Sequence, residues 1–312
     1  QPSAPPPARP PERPVAPAPT NARIGGRQHR LTNLDKVLYP ETATTKAEVI
    51  DYYARIAPVM VPHVAGRPLT LRRWPNGVEA DAFFEKNCPK HAPDWLPRHE
   101  GPGGVRACSF DEPAALAGAG NQAALEIHAT MSRASDLDEP ITLVLDLDPG
   151  PPADALTCAR VALAIRDVLD HLGLVALPKT SGSKGLQLYV PLNGGADYDA
   201  TSSFALALGQ LMERQHPDLV LTDMTRALRP GKVLVGWSQN SFHKTTIAPY
   251  SLRGRARPTV STPLSWAELE AASSLDDLTF EAAEVLDRVE EHGDLFAPVV
   301  ELRQTLPDRR TA

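Results

Sequence analysis

The stretch Leu143-Val144-Leu145-Asp146-Leu147-Asp148-Pro149-Gly150 decides how this chain is read. Residues two apart on a strand share a face, so the Asp146 and Asp148 carboxylates stand side by side, roughly 7 Å apart at Cα. Leu143, Leu145 and Leu147 point the other way and can anchor the strand in a core. Two neighbouring anions repel unless a cation lies between them, and a hard divalent metal with oxygen ligands meets that need. A solvated strand end running into a Pro-Gly turn is the competing reading, and these eight residues alone do not separate the two.

Downstream, residues 154–172 form an amphipathic helix, with Val161, Ala162, Ile165, Val168, Leu169 and Leu172 inward and Gly173 at its end. The loop Thr180-Ser181-Gly182-Ser183-Lys184-Gly185 follows, then a strand over 186–192, a helix over 201–215 and a strand over 232–237. Ser265 and Glu268 form a capping box, and a last helix covers 281–291. Upstream, order is expected from 27–39. Thr45 and Glu48 cap a helix that carries Val49, Ile50, Tyr53, Ile56 and Met60 on one stripe and closes at Pro62. Residues 68–74 are extended, Asn76-Gly77 is a turn, and 122–128 is a short helix or strand leading to His128. Strands and helices interleave without strict βαβ alternation. The expected class is therefore α+β with mixed sheets flanked by helices.

A chain of 312 residues buries a sizeable core. Its net charge of −6 confines any nucleic-acid surface to a local basic patch. No apolar stretch is long enough to span a bilayer, and the first twenty residues lack the apolar core of a signal peptide. Residues 1–22 read as a disordered Pro/Ala-rich tail or linker and 23–312 as one domain. Cys88, Cys108 and Cys158 are too few and too scattered for a disulfide framework, which suits a reducing cytoplasm. Cys88 and His91 make an isolated C-x-x-H, more naturally a packed turn than a zinc site.

The loop at 180–185 joins small hydroxyls, two glycines and an ammonium. Such loops admit an anion close to backbone N–H groups, although the Walker A spacing is absent. Its place shortly after the acidic pair suits nucleotidyl transfer, with a surface hairpin turn as the alternative. Lys36 with Lys46, Arg72 with Arg73, the 226–232 run and Arg253, Arg255 and Arg257 are either solvated surface or a converging phosphate track. Phe83-Phe84 could stack on bases, with burial in the core as the default.

Seven short motifs then occur in order. They are residues 33–40 (N-L-D-K-V-L-Y-P), 72–77 (R-R-W-P-N-G), 83–86 (F-F-E-K), 125–128 (L-E-I-H), 146–150 (D-L-D-P-G), 181–185 (S-G-S-K-G) and 245–251 (T-T-I-A-P-Y-S). In them the chain resembles the polymerase domain of bacterial ligase D, of the archaeo-eukaryotic primase superfamily, over residues 30–298.

The resemblance implies a Mn²⁺-dependent (or Mg²⁺-dependent) primase-polymerase in the bacterial cytoplasm, associated with the nucleoid. Its partners would be nucleoside triphosphates, DNA with double-strand breaks or gaps, the Ku end-binding protein and a DNA ligase, in non-homologous end joining, with no membrane. Asp146 and Asp148 would be catalytic metal ligands. Ser181, Lys184, Gln187 and Arg229 would hold the triphosphate, with Arg253 and His128 near the incoming nucleotide and Phe83 and Phe84 on a base. Lys36, Lys46 and Arg72 would grip the DNA 5′-phosphate.

Two positions depart from the family pattern. Gly236 stands where a third metal-binding Asp is expected, and Gln187 where a His is expected. Gln still donates hydrogen bonds but carries no charge. Loss of a carboxylate that binds metal outweighs that change, so polymerisation is expected to be impaired. A non-catalytic module that recognises 5′-phosphorylated DNA ends is the alternative. Asp223 lies well upstream of the strand that carries Gly236, so substitution by it is not expected.

Overall fold

In the computed structural model of the chain, residues 19–307 are described. Two sheets carry the molecule. The five-stranded sheet runs in the order Leu177–Thr180, Leu186–Pro191, Thr142–Pro149, Val233–Gly236, Val220–Leu221, antiparallel except for its last pair. The four-stranded sheet runs Thr245–Ile247, Ala124–Thr130, Leu69–Arg73, Phe83–Glu85. With the helices packed on these sheets the molecule is α+β, as the sequence pattern implied.

The acidic strand occupies the centre of the first sheet. Leu143, Leu145 and Leu147 are buried, packing with Val161, Ile165 and Leu169 of the helix Ala155–His171. That helix starts where Asp154 accepts from the Thr157 N–H, and Gly173 adopts a left-handed φ just past its end. The second core lies under the other sheet. There Tyr52, Tyr53, Ile56 and Met60 of the helix Lys46–Val64 meet Leu125 and Ile127.

Several expectations need correcting. Pro62 does not close its helix, which continues to Val64 with Pro58 and Pro62 inside it. Burial of Met60, His63 and Val64 offsets the hydrogen bonds that the two prolines remove. A hairpin of Thr20–Ile24 and Arg27–Leu31 begins before residue 23, where the domain was expected to start, while residues 1–18 of the expected tail lie outside the described residues. Of the two readings left open for 122–128, the strand holds, over Ala124–Thr130 after a turn at 122–123, and a short helix at Pro298–Glu301 follows the one expected to be last.

Cys88 and Cys108 form a disulfide, because the Cys88 N–H bonds the Arg106 carbonyl and so brings the loop back onto the strand Val105–Cys108. Cys88 is thereby unavailable to a metal, and Cys158 is free and buried. Among the described residues no helix is long and apolar enough to cross a membrane.

Candidate nucleotide and DNA-end site

Two glycines assemble the site. A Cβ on Gly150 would stand 2.1 Å from the Arg229 carbonyl oxygen, and one on Gly185 would stand 2.2 Å from that of Leu147. Only glycine permits either approach. The first brings the segment after Met224 against the acidic strand, so that Arg229 Nη1 donates to Asp148 Oδ2 at 3.2 Å. The second lays the 181–185 loop across the same strand, with Lys184 Nζ 3.0 Å from Asp148 Oδ1. Ser181 Oγ accepts from the N–H groups of Ser183 and Gly185 and closes the loop.

The cleft between the two sheets holds a cavity of about 310 Å³. Asp146, Asp148, Gln187, Ser181 and Lys184 line it from one side and His128, Thr245, Thr246 and Arg253 from the other. Asp146 sits in a row across the five-stranded sheet, paired in register with Gln187 on one neighbour and Gly236 on the other. Gln187 and Gly236, the two positions where another residue was expected, therefore flank a single carboxylate. Gln187 Nε2 donates to Asp146 Oδ1 at 2.8 Å. On the other side a Cβ at position 236 would stand 3.1 Å from the Asp146 Cβ and 3.7 Å from its Oδ2. A side chain there would point at the carboxylate, but the strands would have to part slightly to admit it. Burial pushes the Asp146 carboxyl up, the Gln187 hydrogen bond opposes this, and the Asp148 charge adds to the rise.

Oxygen donors on one strand face, open to the cleft, suit a hard divalent ion bound by two carboxylates together with substrate phosphates. Among the described residues no group of three or more His, Cys, Asp or Glu side chains gathers into a complete cage. Asp223 does not line the cleft; its Oδ1 accepts from the Thr225 N–H in its own turn.

The paired phenylalanines are exposed, 45% for Phe83 and 57% for Phe84, so the core default fails for both. As neighbours on a strand they face opposite ways. Phe84 meets the His128 ring edge-on at 6.2 Å and lies under the Arg72 guanidinium, whereas Phe83 lies under Arg73. Only Phe84 is directed towards the cleft residue His128.

Lys36 and Lys46 do come together, since the Lys46 N–H bonds the Lys36 carbonyl at 2.8 Å. Lys36 Nζ donates to Asn76 Oδ1 at 3.0 Å, from the Asn76-Gly77 turn. Lys46 is only 5% exposed, and its Nζ donates to the Thr32 carbonyl at 2.6 Å. Burial, then the charges of Lys36 and Arg73, lower its ammonium to about 8. Arg72, expected in this group, is elsewhere: it stacks between Trp74 and Phe84, 3.7 Å from Glu126. As neighbours on a strand Arg72 and Arg73 face opposite ways, with a register shift between them, and Arg73 is the arginine whose charge reaches Lys46.

Sequence reasoning named His128 in the L-E-I-H motif and passed over Glu126, which the structure places at the centre of a cation cluster. The signal was available, since residues two apart on a strand share a face. Thr245, Thr246 and Ser183, from the ordered motifs, and Arg255, from the basic cluster, also line the cleft, as does Gln239, to which the sequence reading assigned no role.

A family model for the LigD primase-polymerase domain matches residues 45–296. The chain is 49% identical over 276 residues to the multifunctional non-homologous end joining protein LigD of Mycolicibacterium smegmatis, covering 86% of this chain and 36% of that protein. It is 32% identical to the bifunctional non-homologous end joining protein LigD of Bacillus subtilis, covering 86% of this chain and 43% of that protein. The chain thus spans well under half the length of either relative. Among solved structures, the polymerase domain from Mycobacterium tuberculosis ligase D in complex with DNA superposes with a TM-score of 0.83 at 45% identity, covering 88% of this chain and 99% of that one.

Proposed function

The chain belongs to the LigD primase-polymerase domain family, and from that premise we propose that it binds broken or gapped DNA at a 5′-phosphate and a nucleoside triphosphate in the cleft. The setting is double-strand break repair by non-homologous end joining in a bacterial cytoplasm, alongside an end-binding protein such as Ku and a ligase. The family reaction is template-directed attack of a primer 3′-hydroxyl on the α-phosphate of the nucleotide, with pyrophosphate leaving. In this chain the step is weakened. The observation that carries this is the pairing of Asp146 with Gly236, a position from which a third carboxylate would reach the same ion.

Each residue's part follows from its place. Asp146 and Asp148 would hold a divalent ion, Mn²⁺ or Mg²⁺, which when bound supplies positive charge to the reacting phosphate oxygens. Lys184 and Arg229 are held on Asp148 and stand ready to turn to the β- and γ-phosphates once that carboxylate has another cation. Ser181 keeps the loop closed, and His128 from the second sheet and Arg253 from the segment after it face the nucleotide. Phe84 offers a face for stacking. Lys36 and Lys46, with Arg73 behind them, receive the 5′-phosphate.

A second reading is favoured by Gly236 itself: a DNA-end-binding module without polymerase activity. The assay that separates the two is ribonucleotide addition with Mn²⁺ on a gapped, 5′-phosphorylated duplex, comparing this chain with Gly236→Asp. We expect weak extension by the chain and at least tenfold more by the variant, a gain of the size that outer-sphere changes alone produce. No extension by the chain, restored in the variant, selects the binding module. Extension that does not change with Gly236→Asp removes the idea of impairment.

A further inference from the structure

Glu126 is 1% exposed and accepts hydrogen bonds from three directions. On Oε1 it receives Arg253 Nε at 3.1 Å and the Gly254 N–H at 3.2 Å; on Oε2 it receives His128 Nε2 at 3.0 Å, with Arg72 Nη1 3.7 Å away. The strand explains why a carboxylate lies here. Leu125 and Ile127 are fully buried in the core beneath the four-stranded sheet, so Glu126 and His128 project together from its other face.

His128 and Arg253 both line the nucleotide cleft, and Glu126 does not. Arg253 is held from two sides, because its Nη1 also donates to the Ser181 carbonyl of the triphosphate loop at 2.5 Å. Burial pushes the Glu126 carboxyl up, but the His128 hydrogen bond and the Arg253 charge outweigh it and hold the group at about 2, so it remains ionised under working conditions. One fixed anion therefore aims two donors from different parts of the chain at a single cleft. Donors fixed in advance lose little freedom when a ligand arrives.

We propose that Glu126 is a positioning residue for the nucleotide: it fixes His128 and Arg253 against the triphosphate loop and has no part in recognition of the DNA 5′-phosphate. The inference rests on the reading of the cleft as a nucleotide site.

The test is equilibrium binding of UTP in the presence of Mn²⁺ to the full chain, Glu126→Gln, the double variant His128→Asn/Arg253→Met, and the triple variant. In parallel, gapped DNA with a 5′-phosphate or a 5′-hydroxyl is bound to each. Glu126→Gln is expected to weaken UTP binding roughly 10- to 100-fold, the worth of one or two charge-assisted bonds, and to leave the 5′-phosphate preference unchanged. Added to the double variant it is expected to cause no further loss, because residues acting as a unit are not additive. Should Glu126→Gln fail to fold, Glu126→Asp keeps the charge but is too short to span both donors, and the same non-additive loss of UTP binding is expected. Unchanged UTP affinity, or losses that add, overturns the inference and leaves the cleft reading standing. A parent chain that binds 5′-phosphorylated DNA but no UTP overturns the cleft reading, and this inference with it.

Discussion

The cations gathered on Asp148 and those at the start of the helix Lys46–Val64 are held in opposite ways. Lys184 is 61% exposed and, like Arg229, lies on the Asp148 carboxylate. Lys46 is buried, bonded to neutral oxygens of Thr32, with Lys36 and Arg73 as its charged neighbours. In the first corner an anion already satisfies the cations, and a ligand must displace it. In the second, like charges crowd a low-dielectric spot, and an incoming anion, or loss of the Lys46 proton, relieves them. Under the proposed function the Asp148 cations would exchange partners, and the Lys46 corner would accept one.

The largest test of this contrast is Lys46→Ala. It is expected to erase the preference for 5′-phosphorylated over 5′-hydroxyl gapped duplex by roughly 10- to 100-fold in a direct binding titration, one charge-assisted bond or more. Lys184→Ala is expected to leave that preference intact; if it too erases the preference, the two corners are not separate.

The second test is pH. Lys46 sits near 8, so below that value it is charged before the phosphate arrives. Above it each binding event must take up a proton, and the 5′-phosphate preference is expected to fall by up to about tenfold per pH unit. Lys46→Arg should flatten this profile between pH 7 and 10, because a guanidinium stays protonated there. A profile that is flat in the parent chain would mean the ammonium is not the recognising group.

Third, Lys184→Met removes a cation from Asp148. Without nucleotide, Mn²⁺ binding followed by electron paramagnetic resonance is expected to tighten, by no more than about fivefold because the pair is exposed. Weaker binding would contradict a cation that competes with the ion. Smallest, Lys36→Gln should lower the slope of log affinity for DNA against log salt by about one, a single phosphate contact.

What could be read in advance was local. The alternation in residues 143–148 set the acidic pair against a leucine face, and Asp154, Thr45 and Ser265 marked helix starts that the structure reproduces. Local signals also misled where packing overrode them, as at Pro62 inside its helix and at the exposed Phe83-Phe84 pair. Pairing across the chain was not legible. Cys88 meets Cys108 because a loop folds back, and Arg72 parts from Lys46 because its guanidinium stacks on Trp74 and Phe84.

The sequence by itself determined the class of strands and helices, the carboxylate pair, the glycine-rich loop that follows it and, through its ordered motifs, the family. Those features depend on residue type and on spacings of two to four positions, which backbone geometry converts directly into shared faces and caps. Only the tertiary structure decided that Gln187 and Gly236 bracket the same aspartate, that Gly150 and Gly185 draw Arg229 and Lys184 onto Asp148, and that Glu126 holds His128 and Arg253. Each depends on the register between strands or loops far apart in the chain, which is fixed by the packing of whole faces rather than by any local pattern.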